Sequence, residues 1–235
     1  MALILNIETS SERCSVALSR DGVMVGASQS FDSKTHASVL TILIEKLLAE
    51  TSISFKQLDA LSISKGPGSY TGLRIGVSVA KGICYGAGKP LVAINTLQSM
   101  LNGLIRETTD FVSTFPDDAI FCPMLDARRQ EVYLAQFSKS GHLLKETSAE
   151  IIHEESFIDI LNERMMVFFG SGATKIQGII QHSNAKFING FSLKADYLIS
   201  LAEIAILEKR FEDIAYFEPF YLKDFVATIP KRKVI

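Results

Sequence analysis

The order in which the hydrophobic period changes between residues 3 and 95 constrains this chain more than any other feature. Leu3–Glu8 is a short apolar run that ends in the polar Thr9-Ser10-Ser11, and residues 14–19 alternate, with Val16 and Leu18 on one face. Asp21-Gly22 is a hairpin signal, because both positions tolerate positive φ, and residues 23–31 continue as a third strand. Three strands in succession read as an antiparallel meander. The period then becomes helical over residues 36–50, returns to strand at 58–63, becomes helical again over 73–87 and ends in the strand Leu91–Asn95. Strand, helix, strand, helix, strand requires parallel pairing with right-handed crossovers.

That order resembles the ribonuclease-H-like half of the actin, Hsp70 and sugar-kinase architecture. The expected fold is therefore α/β, actin-like (ASKHA) and ribonuclease-H-like, in two subdomains. Residues 1–103 form the first subdomain and carry its helices. Residues 104–213 form a second, less regular α/β subdomain, and the tail 214–235 returns to the first. In the second region, 119–125 and 131–137 read as neighbouring strands around Asp126-Ala127-Arg128-Arg129-Gln130. Residues 166–169 read as a strand running into Gly170-Ser171-Gly172, and 193–210 as a long amphipathic helix. No internal repeat is apparent.

Composition narrows the function classes. At 47% hydrophobic and 21% charged, the chain has the material for a packed core and does not read as disordered. No apolar run is long enough to span a bilayer, and the first strand lacks the basic start of a signal peptide, so the expected location is cytoplasmic. Cys14, Cys84 and Cys122 are odd in number and far apart, which favours buried reduced thiols over a disulfide framework. His36, His142, His153 and His182 include no pair at metal-ligand spacing, so no metal site is expected. A net charge of −2 is not the footprint of a stand-alone nucleic-acid binder. Any phosphate-binding charge is expected from another subunit, with the basic Lys231-Arg232-Lys233 as a small addition.

Gly66-Pro67-Gly68-Ser69-Tyr70-Thr71-Gly72-Leu73-Arg74-Ile75-Gly76 joins a buried strand to a helix. Such turns can present backbone N–H groups to an anion. This one lacks the closing Gly-Lys-Ser/Thr of a Walker A loop and is not a Gly-x-Ser-x-Gly elbow. A tight turn with a close-packed helix start is the preferred reading. Glu8 stands where actin-like kinases keep an acid that orders metal-bound nucleotide, and there too a polar strand end is preferred. Glu8, Thr9, Ser10, Gly66 and Gly68 are the residues a nucleotide would use. The following helix contains Gly76, Gly82 and Gly86, and each interior glycine costs about 1 kcal/mol against alanine. Close approach of another backbone would offset that cost, from the first helix or from a second protein. The first helix carries an apolar arc wider than one buried face requires, which favours the second protein. The predicted partner surface is His36, Val39, Leu40, Leu43, Ile44 and Leu47 on the first helix, with Ile75, Gly76, Val79, Gly82, Ile83 and Gly86 on the second.

Four runs together resemble the TsaB (YeaZ) family almost end to end. They are Ile7-Glu8-Thr9-Ser10, the glycine-rich run above, Asp126-Ala127-Arg128-Arg129-Gln130-Glu131-Val132-Tyr133, and Pro219-Phe220-Tyr221-Leu222. The resemblance implies a subunit that supports a TsaD-like catalytic relative, with a TsaE-like ATPase, in making threonylcarbamoyladenosine beside the tRNA anticodon. It implies pairing through the two helices just named and a homodimer through the same surface when alone. It also implies contact with tRNA only through the complex. No cofactor is expected of this chain alone, and ATP or ADP is expected only in the assembled complex.

The catalytic relatives carry Asn-His-x-x-Gly-His (or Ala for Gly) after the fifth strand. Here the run is Asn95-Thr96-Leu97-Gln98-Ser99-Met100, so both imidazoles are missing. No Ser/His/Asp or Cys/His set replaces them, and no catalytic residue is assigned. The competing function is a stand-alone actin-like ATPase or small-molecule kinase using Glu8 and the 66–72 turn. Asp126 to Tyr133 reads as a solvated ion network of Asp126, Arg128 and Glu131 around a hairpin, in preference to a contact with a partner or RNA phosphate.

Overall fold

A computed structural model describes residues 2–31 and 36–222. The first sheet contains β1 (Leu3–Glu8), β2 (Cys14–Arg20), β3 (Val23–Ser30), β4 (Ala60–Gly66) and β5 (Leu91–Asn95), in the order β3-β2-β1-β4-β5. β1, β2 and β3 pair antiparallel, whereas β4 pairs parallel with both β1 and β5. The crossovers are α1 (His36–Thr51) and α2 (Tyr70–Ala87), both packed on one face of this sheet.

The second sheet contains β6 (Ile120–Asp126), β7 (Glu131–Ser138), β8 (Leu143–Ile151), β9 (Met166–Phe169) and β10 (Ala185–Ile188), in the order β10-β9-β6-β7-β8. Read from β8, this is the same meander-plus-parallel topology as the first sheet. The repeat is one of topology, which is why no residue repeat announces it. α3 (Thr96–Glu107) packs on one face of the second sheet, while α5 (Ile158–Glu163) and α6 (Ser171–Ile176) lie by the other. A short α4 (Thr109–Ser113) follows α3.

Residues 193–210 are not one long helix. They are a 3-10 turn, Ala195–Leu198, and α7 (Ile199–Leu207). Both lie between the sheets, with Leu198, Ala202 and Ala205 packed on Ile4, Val92 and Ile94 of the first. The layers therefore run helix, sheet, helix, sheet, helix. Tyr197 ties the middle layer together. Its ring occupies the space a Cβ at Gly103 would need, and its hydroxyl donates to Glu107 at 2.6 Å.

The tail returns to the first sheet. The Glu212 N–H donates to the Leu91 carbonyl, Phe217 is buried in the α1–α2 core, and the Phe220 N–H donates to the Lys65 carbonyl at 2.7 Å. Residues 223–235, which include Lys231-Arg232-Lys233, lie outside the described residues. Among the described residues no helix is long and apolar enough to cross a membrane.

Candidate functional site: a filled strand-end cleft and an open helix face

Parallel strands of open α/β sheets carry ligands beyond their carboxyl ends. Here that region lies at the ends of β1, β4 and β5, and the chain fills it with itself. Glu8 is fully buried, and its Oε1 accepts hydrogen bonds from the Ser10 N–H at 2.6 Å and the Ser10 hydroxyl at 2.5 Å. Burial pushes the Glu8 carboxyl above its usual range, against the hydrogen bonds from Ser10. Ser69 donates its N–H to the Ser10 carbonyl at 2.7 Å and caps α2 by accepting from the Gly72 N–H. The glycines are required by this closure. A Cβ at Gly68 would overlap the Ser10 carbonyl, at Gly72 the Thr9 carbonyl, and at Gly76 the Thr9 hydroxyl. Gly66, at φ 114°, lies under the Phe220 carbonyl of the returning tail. The residues expected to serve a nucleotide (Glu8, Thr9, Ser10, Gly66 and Gly68) are thus brought together: Ser10 engages Glu8 Oε1 and packs on Gly68, the tail packs on Gly66, and Glu8 Oε2 and the Thr9 hydroxyl are buried without a hydrogen-bond partner among the described residues.

The neighbouring motif is equally closed. Asn95 caps α3 by accepting from the Leu97 and Gln98 N–H groups, and its amide donates to Thr147 of β8 at 3.0 Å. Thr96 and Met100 have no exposed surface, and the Met100 methyl fills the space beside Gly170.

The predicted partner surface divides under the structure. Leu40, Leu43, Ile44 and Leu47 are buried against β2 and β3, as is His36, whose Nε2 lies 3.2 Å from the Glu12 carbonyl. These five belong to the core and are withdrawn from the exposed surface. α1 packs on both β2 and β3, so the sheet fills the wide arc. The methyl-free Gly26 of β3 admits Leu47. Gly76 is also withdrawn, because its close neighbour is Thr9 of this chain. Gly82 and Gly86 differ: both are exposed, and a Cβ at either would meet nothing within 4 Å among the described residues. Ile75, Val79 and Ile83 flank them half-buried, together with Val39 of α1. Tyr85, at 87% exposure, and Ile42, at 59%, complete an open face that the sequence reading had not included.

In the Asp126–Tyr133 hairpin, Asp126 is the centre of the contacts. Asp126 Oδ1 accepts from Lys175 of α6 at 2.7 Å and from the backbone N–H of Arg128 at 2.9 Å. The ion pair is with Lys175, which no spacing linked to Asp126. Arg128 and Arg129 hold successive positive φ angles of 65° and 53° at the tip, positions where hairpins ordinarily place Asn or Gly.

Two sheets of one topology, packed through a shared helical layer, define an α/β protein of the actin-like (ASKHA) class. A solved Pseudomonas aeruginosa protein, described as similar to the peptidase YeaZ, superimposes with a TM-score of 0.81 at 24% identity, covering 95% of this chain and 100% of that one. A polyphosphate/ATP-glucomannokinase from an Arthrobacter strain gives 0.50 at 9% identity over 89% of this chain and 100% of its own. The family model described as "TsaD: tRNA N6-adenosine threonylcarbamoyltransferase" matches residues 30–231. The Escherichia coli tRNA threonylcarbamoyladenosine biosynthesis protein TsaB is 28% identical over 95% of this chain and 96% of its own length. The Bacillus subtilis protein of that name is 27% identical over 94% and 93%. The chain belongs to the TsaB/YeaZ branch of this family.

Proposed function

We propose that this chain is the non-catalytic subunit of the assembly that makes threonylcarbamoyladenosine in tRNA, and that it binds a TsaD-type catalytic subunit through the outer face of α2. The observation that carries this reading is the fate of the strand-end cleft. Glu8 is buried with Oε1 bound to Ser10, the glycine-rich turn is packed against Thr9, Ser10 and the tail, and the positions of the missing histidines are packed core. Conversion of this chain to an ATPase or kinase would require the Thr9–Ser10 turn to leave its seat on Gly68 and Gly72. The names of the full-length relatives support the pathway. The open face supports the manner of work: solvent-facing Gly82 and Gly86 let another backbone approach closely, while Val39, Ile75, Val79 and Ile83 supply apolar contact. A second copy would use the same face when the catalytic subunit is absent. Contact with the ATPase subunit, and with nucleotide, then belongs to the assembled complex.

The test is reconstitution with purified catalytic subunit, ATPase, threonylcarbamoyl-adenylate supply and tRNA, scoring modified adenosine by mass spectrometry. Modification should require this chain. ATP turnover by the chain alone, abolished by Glu8→Ala, would instead establish the kinase reading.

A further inference from the structure

Arg74 lies on α2 four residues before Ser78 and eight before Gly82, in the same i+4 row that continues to Gly86. It is solvent-exposed, and its guanidinium lies against two aromatic rings. Its guanidinium carbon sits 4.2 Å from the Tyr70 ring centroid and 5.8 Å from that of Tyr221, and the two rings are 5.0 Å apart. Its Nε donates to the Tyr221 hydroxyl at 3.1 Å. Tyr221 is itself placed by the returning tail, one residue after the hydrogen bond of Phe220 to Lys65. An arginine oriented by two rings and a hydroxyl has lost much of its rotamer freedom before any ligand arrives. Among the described residues, neither of its terminal nitrogens has a protein acceptor. Such a planar fork matches a carboxylate through two parallel hydrogen bonds.

We propose that Arg74, set by Tyr70 and Tyr221, is the ionic anchor of the α2 face and takes a carboxylate of the partner subunit. This rests on the partner-face reading above and adds to it the residue that fixes register. One feature favours a protein carboxylate over an RNA phosphate: the row leading from Arg74 is Ser78, Gly82 and Gly86, which offers close backbone approach and no further cation. A helix laid along that row reaches Arg74 about 12 Å from Gly82, at 1.5 Å per residue. The preset fork means that binding loses little side-chain entropy at this point.

The test measures affinity of the catalytic threonylcarbamoyltransferase subunit for the full chain by calorimetry at two salt concentrations, with tRNA retention by the complex as a second readout. Arg74→Ala should weaken subunit binding about thirtyfold or more and flatten its salt dependence. Arg74→Lys should not restore it, because an ammonium lacks the fork. Tyr221→Phe, which removes only the hydroxyl, should cost about two- to tenfold. All three substitutions are at exposed or half-exposed positions, and circular dichroism checks the fold. Wild-type subunit affinity in Arg74→Ala overturns the proposal; if tRNA retention falls at the same time, the ligand is phosphate. Gly82→Leu separates the two levels of the account. If it abolishes binding while Arg74→Ala does not, the anchor is wrong and the face stands. If Gly82→Leu also binds normally, the partner-face reading fails with it.

Discussion

Gly76→Ala and Gly82→Ala make the same chemical change on one helix and should have opposite effects. At Gly82 the added methyl meets nothing within 4 Å among the described residues, so helix propensity acts, and it favours alanine by about 1 kcal/mol. At Gly76 the methyl overlaps the buried Thr9 hydroxyl and presses on Ile63, and overpacking of that kind costs about 1–3 kcal/mol. Against the same propensity gain, Gly76→Ala should lose up to about 2 kcal/mol. With about 2.1 cal/mol/K per residue, a chain of 235 residues shifts by about 2 °C per kcal/mol. Calorimetry should therefore place Gly82→Ala about 2 °C above the parent and Gly76→Ala up to about 4 °C below it. The stabilised Gly82→Ala chain should nonetheless bind the catalytic subunit about tenfold more weakly, because the methyl enters the space left for the partner. A fall in melting temperature for Gly82→Ala would show that the face is occupied within the chain. A rise with unchanged affinity would show that the glycine serves no partner.

Other expectations follow from the filled cleft and the tail. The Glu8 carboxyl is raised by burial, so its contribution to stability is full below the unfolded value near 4.5 and is lost as pH rises through the folded value. Glu8→Gln should remove that decline, seen as a flatter urea-midpoint profile above pH 4.5; an unchanged slope would assign it elsewhere. Restoring histidines with Thr96→His and Met100→His should destabilise by about 2–5 kcal/mol without creating zinc affinity, since both positions are core. Zinc-dependent stabilisation of that variant would contradict the packing. Phe217→Ala should cost about 3 kcal/mol, near the low end for a buried phenylalanine because the ring keeps 9% exposure. A loss below about 1 kcal/mol would show that the tail is not seated on α2.

The first sheet was legible because β1, β4 and β5 are short, mostly apolar runs, β2 alternates, and Asp21-Gly22 and the glycine-rich turn mark the connections. In the second sheet β6, β7 and β9 were legible as strands, but β8 was not, because its sequence Leu-Leu-Lys-Glu-Thr-Ser-Ala-Glu-Ile has no alternation, and the likeness to the first sheet survives only in topology. Glycine counting found α2 as unusual but could not assign causes. Gly76 answers to Thr9 of the same chain, and Gly82 to open space. α1 misled for a geometric reason. It packs on both β2 and β3, so Leu40, Leu43, Ile44 and Leu47 needed no partner. Arg74 and Tyr221 are 147 residues apart, and no local pattern joins them. An arginine in the same i+4 row as exposed glycines was the available signal.

Thiol labelling can test the α2 face directly, because the native cysteines leave the background silent. Cys14, Cys84 and Cys122 are buried, and desolvation raises all three thiols, Cys14 to about 11 and Cys84 to about 12. Ser78→Cys places one exposed thiol in the Arg74–Gly82 row, and Ser140→Cys places a control in the exposed β7–β8 turn. With maleimide at high dilution, both should label in the free chain. On addition of the catalytic subunit, Ser78→Cys should become protected while Ser140→Cys labels as before. Equal labelling of Ser78→Cys with and without a saturating, demonstrably bound catalytic subunit would contradict the account.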